Sequence, residues 1–315
     1  MESTTPVDIT LSIFGGRSTS NDDQTLNVTK CPCKDYLKPD QLNDDDTCKS
    51  CIGVDIMQYI EAFINKQDAI DETKITDNIV MNKLATITEC KDEKCIIDSS
   101  VVKNLVPSSV ISTLMNMMKP CGPKDTTEWL SNNQIDAVLS DLIDEYSELM
   151  TFKTTMMDFK IQHHTLSDLS LLISLLDDGR QCIACVINTD KYSSCTGNGS
   201  CGVHWVCVFI DCRKNSDTDW SIEYFDSVGD PPPREIVSWQ EDVKRTIDAY
   251  RAKKEHRGTS QIENNNVKHQ HHGTECGCFC LYFIRSRTED IPFSRFLNKR
   301  IPDSSMISFR KFIFA

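Results

Sequence analysis

Between Gln270 and Ile284 the chain turns abruptly from a polar, turn-rich run, Gln270-His271-His272-Gly273-Thr274-Glu275, into the apolar run Cys276-Gly277-Cys278-Phe279-Cys280-Leu281-Tyr282-Phe283-Ile284. An apolar run of that length makes about two turns of buried helix, so the rest of the domain has to pack around it. A cysteine stands where this helix begins. There the first amides have no intrahelical partner and the positive end of the helix dipole faces the sulfur, the setting in which thiols are reactive. If a histidine elsewhere in the chain reaches Cys276, it is a nucleophile; if none does, it is one more core cysteine.

The 315 residues suffice for one large domain or two ordinary ones with a substantial core. No stretch approaches the roughly 18 apolar residues of a membrane span, and Met1-Glu2-Ser3-Thr4-Thr5-Pro6-Val7-Asp8 lacks the basic and apolar regions of a secretory signal. These features lead us to expect a protein kept in the cytosol, its sixteen cysteines mostly thiols, thiolates or metal ligands. A net charge of -13 disfavours nonspecific binding to nucleic acid or membrane surfaces. Residues 281–315 are the local exception, with seven Arg/Lys against three Asp/Glu, and read as a basic patch on an acidic protein.

Residues 1–50 are polar and turn-rich and read as a partly disordered segment. It carries Cys31, Cys33, Cys48 and Cys51, which have the count of a zinc site but an unusual C-x-C half; ordinary reduced cysteines are the competing reading. Within it, Ile13-Phe14-Gly15-Gly16-Arg17 reads as a glycine turn, with self-processing near Gly16 as the sharper alternative. Residues 51–120 read as a mainly helical N-terminal domain or arm, with an amphipathic helix from Val54 to Ile64 and weaker periodic segments at 79–87 and 110–118. Pro120-Cys121-Gly122-Pro123 then breaks the chain, placing a domain at 121–315.

That domain opens with a capping box, Ser131 and Gln134, ahead of a helix that begins at Asn132 and carries Ile135, Val138, Leu139, Leu142 and Ile143 on one face. A short helix at 169–176 ending near Gly179, a buried strand at 182–188, strands at 203–211 and 220–225, and a helix at 235–251 follow, with 256–266 as a loop. The order predicts an α+β fold with a central sheet. Cys182 and Cys185 face opposite sides of a strand and do not share a metal.

Three residues stand at the ends of elements, where a scaffold aims side chains into a cleft: His204, Asp226 and Cys276. Thiol catalysis needs a base, a group that orients the base, and donors for an oxyanion. Adjacent antiparallel strands would bring His204 to Asp226, and Gln270 with the Cys276 amide could supply the donors. Cys278 and Cys280 point away into the core, and His269, His271 and His272 rank as rim residues.

His204-Trp205, Tyr224-Phe225-Asp226-Ser227, and Gln270, Gly273 and Glu275-Cys276-Gly277 together resemble the ubiquitin-like-protein-specific (SUMO/sentrin) protease and adenovirus-protease superfamily, with Glu275 where aspartate is commoner. Trp129-Leu130-Ser131-Asn132 resembles the family's entry into its first catalytic helix. The resemblance implies a papain-like, adenain-like catalytic domain with a mixed sheet flanked by helices. It also implies a cysteine endopeptidase with the triad Cys276, His204 and Asp226, the oxyanion donor Gln270, and indoles Trp129 and Trp205 closing over a Gly-Gly segment of substrate. No cofactor is implied.

The helical, cysteine-bearing N-terminal region is similar to that of the proteases of large cytoplasmic DNA viruses, such as African swine fever virus, iridoviruses and poxviruses. Viral structural or polyprotein precursors are then the expected substrates, at assembly sites in the host cytoplasm and in the virion. The alternatives are an isopeptidase acting on SUMO or other ubiquitin-like modifiers, and a silent module that binds Gly-Gly tails.

Overall fold

The structure, a computed structural model, describes residues 84–90, 93–123, 127–195, 201–213, 220–255, 258–271 and 273–314. The Val54–Ile64 helix, the Cys31, Cys33, Cys48 and Cys51 group and the Gly15-Gly16 pair lie outside the described residues. Contacts divide the chain into Met1–Lys119 with Phe314–Ala315, and Pro120–Ile313.

In the first unit, residues 84–88 are helical and are followed by α1 (Glu93–Asp98), α2 (Ser100–Leu105) and α3 (Ser108–Met117). The Ser99 hydroxyl caps α2 by accepting from Val102 N at 3.3 Å, and Pro107 separates α2 from α3. Leu84, Ile96, Ile97, Val102 and Leu114 are buried.

The second unit runs α4 (Asn132–Glu145), β1 (Leu149–Met156), α5 (Leu169–Asp177), β2 (Cys182–Asn188), β3 (Trp205–Asp211), β4 (Ser221–Phe225), α6 (Arg234–Lys253), β5 (Gln261–Asn264), α7 (Cys276–Thr288), α8 (Ser294–Asn298) and α9 (Asp303–Ile313). Its five strands lie in the order β1-β2-β3-β4-β5, the two outer pairs parallel and the two inner pairs antiparallel. This is the mixed sheet flanked by helices expected from the sequence.

Both faces of the inner strands are covered, which is why they read as continuous apolar runs. Ile183, Cys185, Val206, Val208, Ile222 and Tyr224 share one core with Leu172 of α5 and Ile236, Trp239, Val243 and Ile247 of α6. On the opposite face, Phe283 of α7 stacks on Phe225 at 4.5 Å and meets Phe209 edge-on at 6.3 Å. Helix α4 starts through the expected box: Ser131 Oγ accepts from Gln134 N at 3.3 Å, and Gln134 Oε1 accepts from Ser131 N at 2.9 Å. Such a cap contributes about 1 kcal/mol.

Four expectations change. Residues 261–264 are strand β5 rather than loop: the strand is polar and largely exposed, so it carries no periodic signal, and its pairing with β4 defines it. Strand β1, another edge strand with irregular burial, was likewise not expected. Eight of the twelve described cysteines are free thiols, but Cys90 pairs with Cys95 and Cys195 with Cys201. The two pairs are five and six residues apart in sequence, with Cα atoms 5.6 and 5.4 Å apart, within disulfide reach.

The tail is also less basic at its surface than its composition suggests, because Arg285, Arg287 and Arg310 are buried and paired inside the fold while Arg295, Lys299, Arg300 and Lys311 stay exposed. Arg285 pairs with Glu145 and Glu289, Arg287 with Asp211 and Glu223, and Arg310 with Glu275. Among the described residues no helix is long and apolar enough to cross a membrane, and no group of three or more His, Cys, Asp or Glu is placed to hold a metal.

Candidate active site

Helix α7 is buried along almost its whole length, and Cys276 is its first residue. The first intrahelical bond runs from Phe279 N to Glu275 O at 2.9 Å, so the Cys276 amide is among the helix's open donors. Glycine follows the cysteine for a steric reason. A Cβ at residue 277 would lie 3.2 Å from Leu130 Cβ and 3.3 Å from Ile135 Cδ1, so α7 meets the start of α4 without a side chain between them. Cys278 and Cys280 are fully buried; burial pushes the Cys278 thiol up to about 12 and the Cys280 thiol well above its usual range.

His204 sits immediately before β3 rather than within it, its carbonyl accepting from Thr189 N at 2.9 Å at the end of β2. Its Nε2 is 2.7 Å from Asp226 Oδ1, across the antiparallel β3–β4 pair. That leaves Nδ1 free of Asp226, and Cys276 lies close enough to His204 to act on its protonation. Burial disfavours the imidazolium, but the hydrogen bonds and negative charges of Asp226 and Cys276 outweigh it and raise His204 to about 10.

Asp226 directly follows β4 and is itself clamped. Val228 N donates to its Oδ1 at 2.9 Å, its backbone N–H donates to Asn265 Oδ1 at 2.7 Å, and Asn265 Nδ2 returns a bond to its carbonyl at 2.9 Å. Asn265 is the middle of three consecutive asparagines, so nothing in the sequence distinguishes it from its neighbours.

Gln270 is brought to the same site. Its Oε1 accepts from Ser227 Oγ at 2.8 Å and its Nε2 donates to Gly273 O at 3.0 Å, which fixes the amide orientation and leaves the second Nε2 hydrogen available to a substrate oxygen. Gly273 adopts φ 77°, a left-handed conformation that lets the loop turn back under Gln270. Trp129 and Trp205 line one cavity of about 490 Å³, together with Met156, Asn188, Tyr192 and Gly202. Trp205 is buried with its Nε1 donating to Leu130 O at 3.0 Å, whereas Trp129 is 47% exposed.

The three flanking histidines do not form a rim together. His271 is exposed and is anchored by its amide to Asp303, and His272 lies outside the described residues. His269 is fully buried among Phe225, Phe279 and Phe296, its Nδ1 accepting from Ile301 N at 3.1 Å. Burial lowers it to about 4 from the usual 6.5, so the stabilisation from the neutral ring is present above about pH 6.5 and is lost as pH falls toward about 4. Melting curves should accordingly show an acid-side loss of stability that His269→Phe flattens; parallel curves for the two proteins would exclude the histidine as its source.

Residues 181–315 match the model of the Ulp1 protease family, C-terminal catalytic domain. The chain is 28% identical over 280 residues to the SUMO-1 cysteine protease of African swine fever virus, covering 84% of this chain and 91% of that one. The same identity and coverage hold for the cysteine protease of a Vero-adapted strain of that virus. The crystal structure of the African swine fever virus protease superposes with a TM-score of 0.64 at 26% identity, covering 92% of this chain and 97% of that one.

Proposed function

Given that residues 181–315 are a catalytic domain of the Ulp1 protease family and that the chain is a cysteine protease, we propose that it cleaves viral structural or polyprotein precursors after Gly-Gly, with Cys276 as nucleophile. The observation that carries this reading is the convergence of Cys276, His204, Asp226 and Gln270 beside a cavity lined by two indoles. The Cys276 sulfur adds to the scissile carbonyl while His204 holds the proton. The oxyanion accepts from Gln270 Nε2 and the Cys276 amide. His204 passes its proton to the leaving amine as the C–N bond breaks, leaving a thioester. Water, deprotonated by His204, then releases the acid and restores the thiol. Packing of an indole against the substrate backbone favours residues without side chains, hence glycine ahead of the scissile bond.

The viral relatives support precursor processing, while the name of one, a SUMO-1 cysteine protease, favours a second reading in which the substrate is a folded ubiquitin-like modifier. Gly-Gly-X and Ala-Gly-X peptides assayed beside SUMO and ubiquitin fusions, with Cys276→Ala as control, separate the two. Gly-Gly-X peptides are expected to be cleaved at least about tenfold faster than Ala-Gly-X. Cleavage of the modifier fusions alone would transfer the proposal to the second reading, and absence of any Cys276-dependent cleavage would sink both.

A further inference from the structure

Three of the four backbone carbonyls in the short segment 127–130 are held by side chains from three separate elements. Thr127 O accepts from Thr274 Oγ1 at 2.5 Å, Glu128 O from Arg310 Nη1 at 2.7 Å, and Leu130 O from Trp205 Nε1 at 3.0 Å. Each donor is tied to a residue of the chemistry. Thr274 lies two residues before Cys276, and Trp205 directly follows His204. Arg310, buried on α9, also places Nη2 2.9 Å from Glu275 Oε2, and Glu275 immediately precedes Cys276. In the middle of this bracket stands Trp129, half exposed, with its indole on the cavity.

Segments that only connect elements seldom have successive carbonyls taken up by side chains from elsewhere in the fold; most side-chain hydrogen bonds of that kind cap helices or close turns. Here the bonds fix the backbone on both sides of one exposed indole and leave only its own side-chain torsions free. The C-terminal segment strengthens the same frame from behind. Arg300 Nε donates to His269 O at 3.0 Å and the His271 amide donates to Asp303, so the loop carrying Gln270 is held at its start while Arg310 holds its end at Glu275.

The geometry points to Thr274 and Arg310 as positioning residues that act through Trp129: they set the gap between its indole and Cys276, and so set how strictly the site demands glycine ahead of the scissile bond. This rests on the reading of Trp129 as the wall over the substrate. A gap defined by rigid groups rejects one added methyl by about 10- to 200-fold, whereas a wall free to retreat does not. Loosening the mount should therefore relax selectivity more than it slows the chemistry.

The test compares Gly-Gly-X with Ala-Gly-X peptides in Thr274→Val, Thr274→Ser, Arg310→Lys and Trp129→Ala. Thr274 is at the surface, so its valine variant keeps the fold even if Arg310→Lys does not. Thr274→Val is expected to raise KM for Gly-Gly-X about fivefold with kcat little changed and to narrow the glycine preference by about the same factor. Thr274→Ser, which keeps the hydroxyl, should behave as wild type. Added to Trp129→Ala, Thr274→Val should narrow the preference no further, since the two act through one group. A preference narrowed by Trp129→Ala but untouched by Thr274→Val, or two effects that add, would overturn the mount. A preference unmoved by Trp129→Ala itself would instead overturn the reading of that indole as the wall.

Discussion

Replacing Arg287 with methionine is expected to destabilise the catalytic unit by about 3–5 kcal/mol, because it strands a charge at the centre of the fold. Arg287 Nε and Nη2 donate to the two oxygens of Glu223 at 2.7 Å each, Nη2 also reaches Asp211 at 2.8 Å, and Nη1 donates to Ile291 O at 2.6 Å. Glu223 is fully buried, and beyond the guanidinium it has only the Ser221 hydroxyl, at 2.6 Å. Burial already raises its carboxyl against the pull of Arg287. Without the arginine the folded state prefers a protonated Glu223, so the deficit should be greatest at neutral pH and shrink as pH falls and the proton returns. Chemical denaturation at about pH 7.5 and about pH 5.5 reads both effects. Adding Glu223→Gln should recover part of the loss, because the orphaned charge, more than the lost contacts, sets the cost. A loss equal at both pH values, with no recovery in the double variant, would show that side-chain packing is what was removed.

Asp226→Asn carries the second large effect. The carboxylate holds the His204 ring in place and supports its positive charge, and its loss should lower kcat/KM about 10²-fold. The pH profile gives the sign. His204 is raised to about 10, so the protonated imidazole is retained from neutral pH up to that range, and activity that depends on it falls as pH rises through about 10. The stability from the same partnership is complete below the ordinary histidine value near 6.5 and is lost over the same alkaline window. Without the Asp226 charge the alkaline limb should move to lower pH, and with a Cys/His pair its apparent position belongs to the pair. An alkaline limb that stays in place while the rate falls would assign Asp226 to ring orientation alone.

The parts of this architecture legible in the sequence are those that bury apolar surface in a regular pattern. Ser131 and Gln134 announced α4, and the runs 182–188 and 203–211 announced β2 and β3, because two-sided burial leaves few polar positions in them. Cys276, His204 and Asp226 could be picked out because each stands where an apolar run begins or ends. The resemblance to a known protease superfamily then supplied the pairing that spacing alone left open.

What was illegible is held by polar contacts that leave no periodic trace. Strand β5 is Gln261-Ile262-Glu263-Asn264, polar and exposed, and it is a strand only because Ser221–Tyr224 pairs with it. The arginines of α7 and α9 look like a solvated basic tail until their partners on distant elements are known. Asn265, which clamps Asp226 from both sides, is one of three identical residues in a row. His269 was placed at the rim by its position in a polar loop, yet the loop passes under an aromatic cluster and carries it inward.

Gly277 bears on how this protein can change over time. The residue after Cys276 sits so close to Leu130 and Ile135 that even a methyl group would force Leu130 to yield by a few tenths of an ångström, and Leu130 is the neighbour of Trp129. A substitution there would register twice, once at the sulfur and once at the indole. Mutational drift at this one position is therefore narrowed, and new cleavage preferences have more room farther out, in residues such as Tyr192 or Met156 that border the cavity without touching Gly277.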